Sequence, residues 1–141
     1  MNKVTVMLAL SQVCCLALAQ SADTPINLEP HKAGAASYVC GGVGFDEQQA
    51  IKSDARKHDL MLTFAETTGA YLADVDVQIA NTKGGVVLSA KCDGPIMLVD
   101  LPGSGSWRVT AQVNGQTRQR TISAGSRRPA QAVLTWPAGA S

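Results

Sequence analysis

His31 and His58 are the chain's two histidines, and imidazole is the side chain that most readily moves protons near neutral pH. Neither has the neighbours that catalysis needs. His31 lies in a run of small, polar and proline residues, and His58 follows Lys52, Arg56 and Lys57, where a positive charge near a helix C-terminus accounts for it. Asp74 and Asp76 are two residues apart, a spacing that sets two carboxylates on one face of a strand, where they can bind calcium or work as acid and base. No further oxygen ligands stand out, so solvent-facing acids are the simpler reading and no metal is expected. Gly41-Gly42-Val43-Gly44 precedes a helical pattern and invites a phosphate cradle. Neither G-K-[ST] nor G-x-G-x-x-G follows, which leaves a glycine-rich turn beside Cys40 as the better description. The expectation is a protein without catalytic residues or cofactor.

Three other groups are candidates for binding or for structure. Arg118 and Arg120 share one face of a strand pattern; they either grip an anionic partner or guard an edge strand, the second being the more usual role. Aromatic residues are few: Tyr38, Phe45, Phe64, Tyr71, Trp107 and Trp136. Most fall at inward positions, which leaves Tyr71, beside Gly69 in Thr67-Thr68-Gly69-Ala70-Tyr71, as the exposed ring best placed to meet a partner. Nucleic-acid binding is not expected, because basic and aromatic residues do not interleave.

The first residues, MNKVTVMLALSQVCCLALAQ, carry Lys3, an uncharged apolar run and Ala17-Leu18-Ala19. They fit a signal peptide, residues 1–19, cleaved before Gln20. The run from Val4 to Ala19 has 16 residues, short of the ~20 that span a bilayer as a helix. No membrane span is expected after cleavage, and the product should be periplasmic or secreted. Cys14 and Cys15 leave with the signal, so Cys40 and Cys92 remain. In an oxidising compartment an even pair without C-x-x-C points to a disulfide rather than a metal or redox site. Closing the loop from 40 to 92 is worth ~4 kcal/mol in the chain-entropy model.

Charge is uneven along the chain. From Gln20 to Asp100 there are 11 acids and six bases, and from Leu101 onward there are five arginines and no acid. A basic binding face is one reading, although five arginines in this span are not a dense run, and a solvated set of strand exteriors is the plainer one.

The elements follow from hydrophobic period. Residues 20–37 lack a sustained period and read as a flexible arm, and the domain should span 38–137. A helix is expected from Asp46 to Lys57, with acids first, bases last and a thin apolar stripe of Phe45, Ile51 and Ala55. Beyond Leu60 the period becomes two. Val75, Val77 and Ile79 alternate with polar residues; Val86, Leu88, Ala90 and Cys92 follow on one side; Trp107, Val109, Ala111 and Val113 share another face. Asn114-Gly115 is a hairpin signal. With LMLTFAE, IMLVDL, TRQRTIS and AVLTW, the count is seven strands, which suits a β-sandwich of two layers.

The succession GAYLADVDVQI, VVLSAKCDG, LVDLPGSGSWRVTA and NGQ, within Leu60 to Trp136, resembles carboxypeptidase regulatory-like domains, a transthyretin-like family. The resemblance implies a seven-stranded Greek-key β-sandwich, mainly β, with one short N-terminal α-helix added. Physical reasons accompany it: Asp93-Gly94-Pro95 and Leu101-Pro102-Gly103 reverse the chain, and Trp107 plugs the core. Transthyretin-like hydrolases end in Tyr-Arg-Gly-Ser, whereas this chain ends TWPAGAS. The expected function is an exported, non-catalytic interaction or accessory module whose partner is an envelope protein or a glycan. A small hydrolase on the same fold is the alternative, as is an inhibitor of a periplasmic enzyme that presents a loop such as TTGAY or PGSGS.

Overall fold

The computed structural model describes residues 28–126 and 128–140. The segment read as a signal peptide, 1–19, lies outside the described residues, as do 20–27 of the arm and Arg127. Along the chain run β1 (His31–Ala33), β2 (Ala36–Gly41), α1 (Phe45–Asp54), a 3₁₀ turn (Ala55–Lys57), β3 (Leu60–Glu66), β4 (Val75–Asn81), β5 (Val86–Cys92), β6 (Ile96–Asp100), β7 (Gly105–Val113), β8 (Gln116–Ala124) and β9 (Ala130–Trp136).

The strands form two sheets, one ordered β1-β2-β6-β3-β9 and the other β5-β4-β7-β8. Every pairing is antiparallel except β3 with β9, the two of which run parallel from Leu60↔Ala130 to Glu66↔Trp136. Period-two alternation explains the layering. Val75, Val77 and Ile79 of β4 and Trp107, Val109, Ala111 and Val113 of β7 turn inward to meet Leu60, Leu62 and Phe64 of β3 and Leu134 and Trp136 of β9. Strand β6 has no alternation, because both its faces are covered. Met97 and Val99 enter the core between the sheets, while Ile96 and Leu98 pack with Val39, Ile51 and Ala55 beneath α1. The helix is thus a lid on the outer face of the five-stranded sheet.

The stretch from Cys92 to Ala111 passes between layers twice. It leaves β5 in one sheet, turns at Asp93-Gly94-Pro95 into β6 of the other, and returns through Leu101-Pro102-Gly103 to β7. Gly94 is needed at the first corner, since a Cβ there would run into the carbonyl and Cα of Gly41. Cys40 of β2 and Cys92 of β5 are joined as a disulfide across this close approach, with Cα atoms 5.5 Å apart. The bridge ties one sheet to the other. Trp107 plugs the core as expected, 6% exposed.

Some expectations need correction. Among the described residues there are nine strands rather than seven: the seven expected ones all form, and β1 and β2 precede them. These two strands escape a period count because His31 to Gly41 is built mostly of small residues. The part of 20–37 that is described, from Leu28, is therefore not a loose arm: it carries β1, the start of β2 and buried Ala36. Val86 does not share the inward face of β5; the register shifts between Ile79 and Ala80, which pair with Leu88 and Val86, so the skipped Val87 throws Val86 outward. Asp74 stands ahead of β4 at φ 56, in the left-handed region, so it forms no strand-face pair with Asp76.

Candidate functional site

The glycine-rich turn and the first turn of α1 build the most distinctive surface. Gly42 and Gly44 take φ of 96 and 85, values that open the chain sharply between β2 and α1. The Gly42 N–H donates to the Glu47 carboxylate at 2.8 Å. A carboxylate from the chain itself therefore occupies a donor that a phosphate cradle would offer. Two consequences follow for side chains. Val43, held between the two glycines, is 65% exposed, and Phe45 is 74% exposed. The expected apolar stripe of Phe45, Ile51 and Ala55 is thus only partly realised. Ile51 and Ala55 are buried, but Phe45 precedes Ile51 by six residues, which turns it ~120° off the buried face at 3.6 residues per turn.

Tyr71 reaches the same cavity as Val43 from another part of the chain. The loop after β3 is a tight turn, in which Glu66 N donates to Ala70 O at 2.7 Å and Gly69 N to Glu66 O at 2.9 Å. Tyr71 then bridges Ala65, and Leu72 N donates to Phe64 O at 3.0 Å. Leu72 is buried in the core, and the alternation sets the neighbouring Tyr71 ring outward, 45% exposed. Lys52 Nζ of α1 stands 6.0 Å from the centre of that ring, at the outer limit of a cation–π contact.

Between these elements lies a depression of about 250 Å³, walled by Val43, Tyr71, Leu72, Ala73 and Pro95, with the Gln48 side chain at its rim. Its walls are mainly apolar, and the tyrosine hydroxyl and the Gln48 amide are the polar handles. A site of this size accepts one or two apolar side chains and can orient them with a hydrogen bond. Sequence reading found Tyr71 and missed Val43 and Phe45. The available signal was the pair of flanking glycines, which free a residue from any period.

Arg118 and Arg120 serve a different part of the molecule. Both have the parity of buried Ile122 and Ala124 on β8, an edge strand, and their side chains pass over the open flank of the sandwich. Arg118 Nε donates to Thr135 O at 2.9 Å and Arg120 Nη1 to Val133 O at 3.2 Å. The two guanidinium groups cover carbonyls of β9, itself an edge of the other sheet, which is the edge-guarding arrangement. Tyr71 meets Ala65 on one side of β3, whereas Arg118 reaches β9 on the other. The three residues expected to contact a partner therefore do not converge.

The histidines are likewise apart. His31 of β1 lies 5.4 Å, ring to ring, from Tyr38 of β2. His58 Nδ1 pairs with Asp100 Oδ2 at 2.9 Å across the end of the five-stranded sheet, far in topology from the arginines of β8. Asp76 lines a shallow polar groove on the outer face of the other sheet, opposite Lys91 and Gln112. Among the described residues no three His, Cys, Asp or Glu side chains gather as metal ligands, and no helix is long and apolar enough to cross a membrane. No protein-family model matches the chain, and no curated protein matches it.

Proposed function

We propose that this protein is an exported, non-catalytic recognition module of the cell envelope, which binds a partner protein through the apolar depression beside α1. The observation that carries this reading is the pair Val43 and Tyr71, exposed at 65% and 45% and lining one cavity, with Phe45, 74% exposed, one residue beyond the lining Gly44. Single exposed apolar residues are ordinary on a protein surface, but a contiguous group brought from separate segments marks an interaction site. The rigid base beneath it favours binding without rearrangement: Leu72, Ile51 and Pro95 are buried, and the nearby Cys40–Cys92 bridge ties the sheets. The bridge also supports an oxidising compartment, periplasmic or extracellular.

The same reading makes the fold a transthyretin-like Greek-key sandwich with a β1–β2 hairpin and a helix added. Its support is the order β6-β3-β9 against β5-β4-β7-β8, in which successive strands change sheets at each proline-containing corner. An inhibitor that projects a loop has less support, because Thr67–Tyr71 is folded back on β3. The experiment is a double substitution, Phe45→Ser with Tyr71→Ser, in protein expressed with its own leader. The variant should melt as the parent does and lose the partner that co-migrates with the parent in gently extracted envelope. Retention of that complex by a folded variant rejects the site.

A further inference from the structure

The charge around the depression narrows the chemistry of its occupant, given the binding reading above. Three exposed acids stand within two residues of its walls: Asp46 comes two after Gly44, Asp74 follows Ala73, and Asp93 comes two before Pro95. Two residues of chain are at most ~7 Å, so the backbone of all three aspartates runs within about that distance of the depression's lining. Among the described residues none of them pairs with a base. Glu47 is turned inward onto Gly42 and Lys52 sits over Tyr71, which sets one base at the depression against three aspartates that make no ion pair. Lys91, two residues before Asp93, belongs to the polar groove on the outer face of the four-stranded sheet. Arg108, Arg118 and Arg120 lie elsewhere, on β7 and β8.

We infer that the depression receives an apolar side chain carried on a basic segment of another protein, with aliphatic or aromatic anchors flanked by lysine or arginine. The apolar walls bury the anchor and supply contact area, while the acidic rim speeds encounter and selects flanking charge. The arrangement disfavours an anionic membrane surface, since lipid phosphates would approach three carboxylates. A neutral glycan would use neither the rim nor the anchor pocket.

The test uses three synthetic peptides: two leucines between pairs of lysines, two leucines between pairs of glutamates, and two serines between pairs of lysines. Each is titrated into the oxidised, folded protein at low salt, where the screening length is ~30 Å, and again at 0.15 M, where it is ~8 Å. Amide shifts of Val43, Phe45 and Tyr71 are followed. The lysine–leucine peptide should bind there on the order of tenfold more tightly than the other two, with the advantage over the glutamate peptide shrinking at the higher salt. Asp46→Asn, Asp74→Asn and Asp93→Asn combined should abolish that advantage and leave leucine-dependent binding; asparagine tolerates the left-handed backbone at position 74. Equal binding of both leucine peptides overturns the charge selection while the binding site stands. Equal binding of the serine peptide overturns the anchor. No shift at these three amides with either leucine peptide refutes the binding reading as well.

Discussion

Replacing Cys40 and Cys92 together by alanine removes a covalent link between the two sheets whose ends are 52 residues apart in sequence. In the native state the loss is small. β2 keeps five register pairs with β6, from Ser37↔Asp100 to Gly41↔Ile96, and Val39 remains packed beneath α1. In the unfolded state the closed loop is released, and the chain-entropy model puts that release at ~4 kcal/mol. Against a typical net stability of roughly 5–15 kcal/mol this is a large fraction, and for a domain of this size it corresponds to a fall in Tm of about 15 °C. Guanidinium unfolding followed by fluorescence of the buried Trp107 and Trp136 reads the change directly. The variant should unfold at lower denaturant with a steeper dependence, because its unfolded state exposes more surface. A loss below ~1 kcal/mol with an unchanged slope would refute the loop-entropy reasoning. Two thiols that react in the untreated folded protein would refute the bridge itself.

Other perturbations separate the roles of particular residues. Trp136 donates its indole N–H to Gln116 O at 2.9 Å, whereas the buried Trp107 indole N–H has no partner among the described residues. Trp136→Phe should therefore cost about 1 kcal/mol more than Trp107→Phe in equilibrium unfolding; equal costs would contradict the assignment. Gly94→Ala forces a methyl group against the Gly41 backbone and should lower stability by roughly 2–3 kcal/mol, whereas Gly103→Ala, at an open position, should lie within about 0.5 kcal/mol of the parent by thermal melt. Arg118→Ala with Arg120→Ala uncovers the β9 carbonyls. Light scattering on prolonged warming should show faster aggregation, with stability changed by less than about 1 kcal/mol.

Much of the fold was legible because backbone period and burial coincide from Leu60 onward. Val75 to Ile79 and Trp107 to Val113 alternate in sequence and do so in space, and the Cys92–Ala111 stretch contains both corners that change sheets. Where coincidence fails, so does legibility. Ala36 to Gly41 buries Ala36, Val39 and Gly41, which follow no two-residue period, and the bulge at Val87 reverses the expected side of Val86. The candidate site was half legible. Tyr71 stands near a turn glycine and could be singled out, but Val43 comes to share a cavity with it only through tertiary folding, and Phe45 was expected on the buried stripe. Their exposure follows from glycine backbone angles and from where Ile51 fixes the helix face. The arginine pair was legible as one face of β8, while its use, covering the carbonyls of a strand in the other sheet, depends on how the two layers meet.

The most direct measurement of the proposed recognition surface is site-specific photo-crosslinking in intact cells, with the reactive group placed at Phe45 in one variant and at Gln119 of β8 in another. The account predicts a discrete crosslinked partner from position 45, lost when Tyr71 is also changed to serine, and none from position 119. Crosslinking from position 119 with none from position 45 would contradict it.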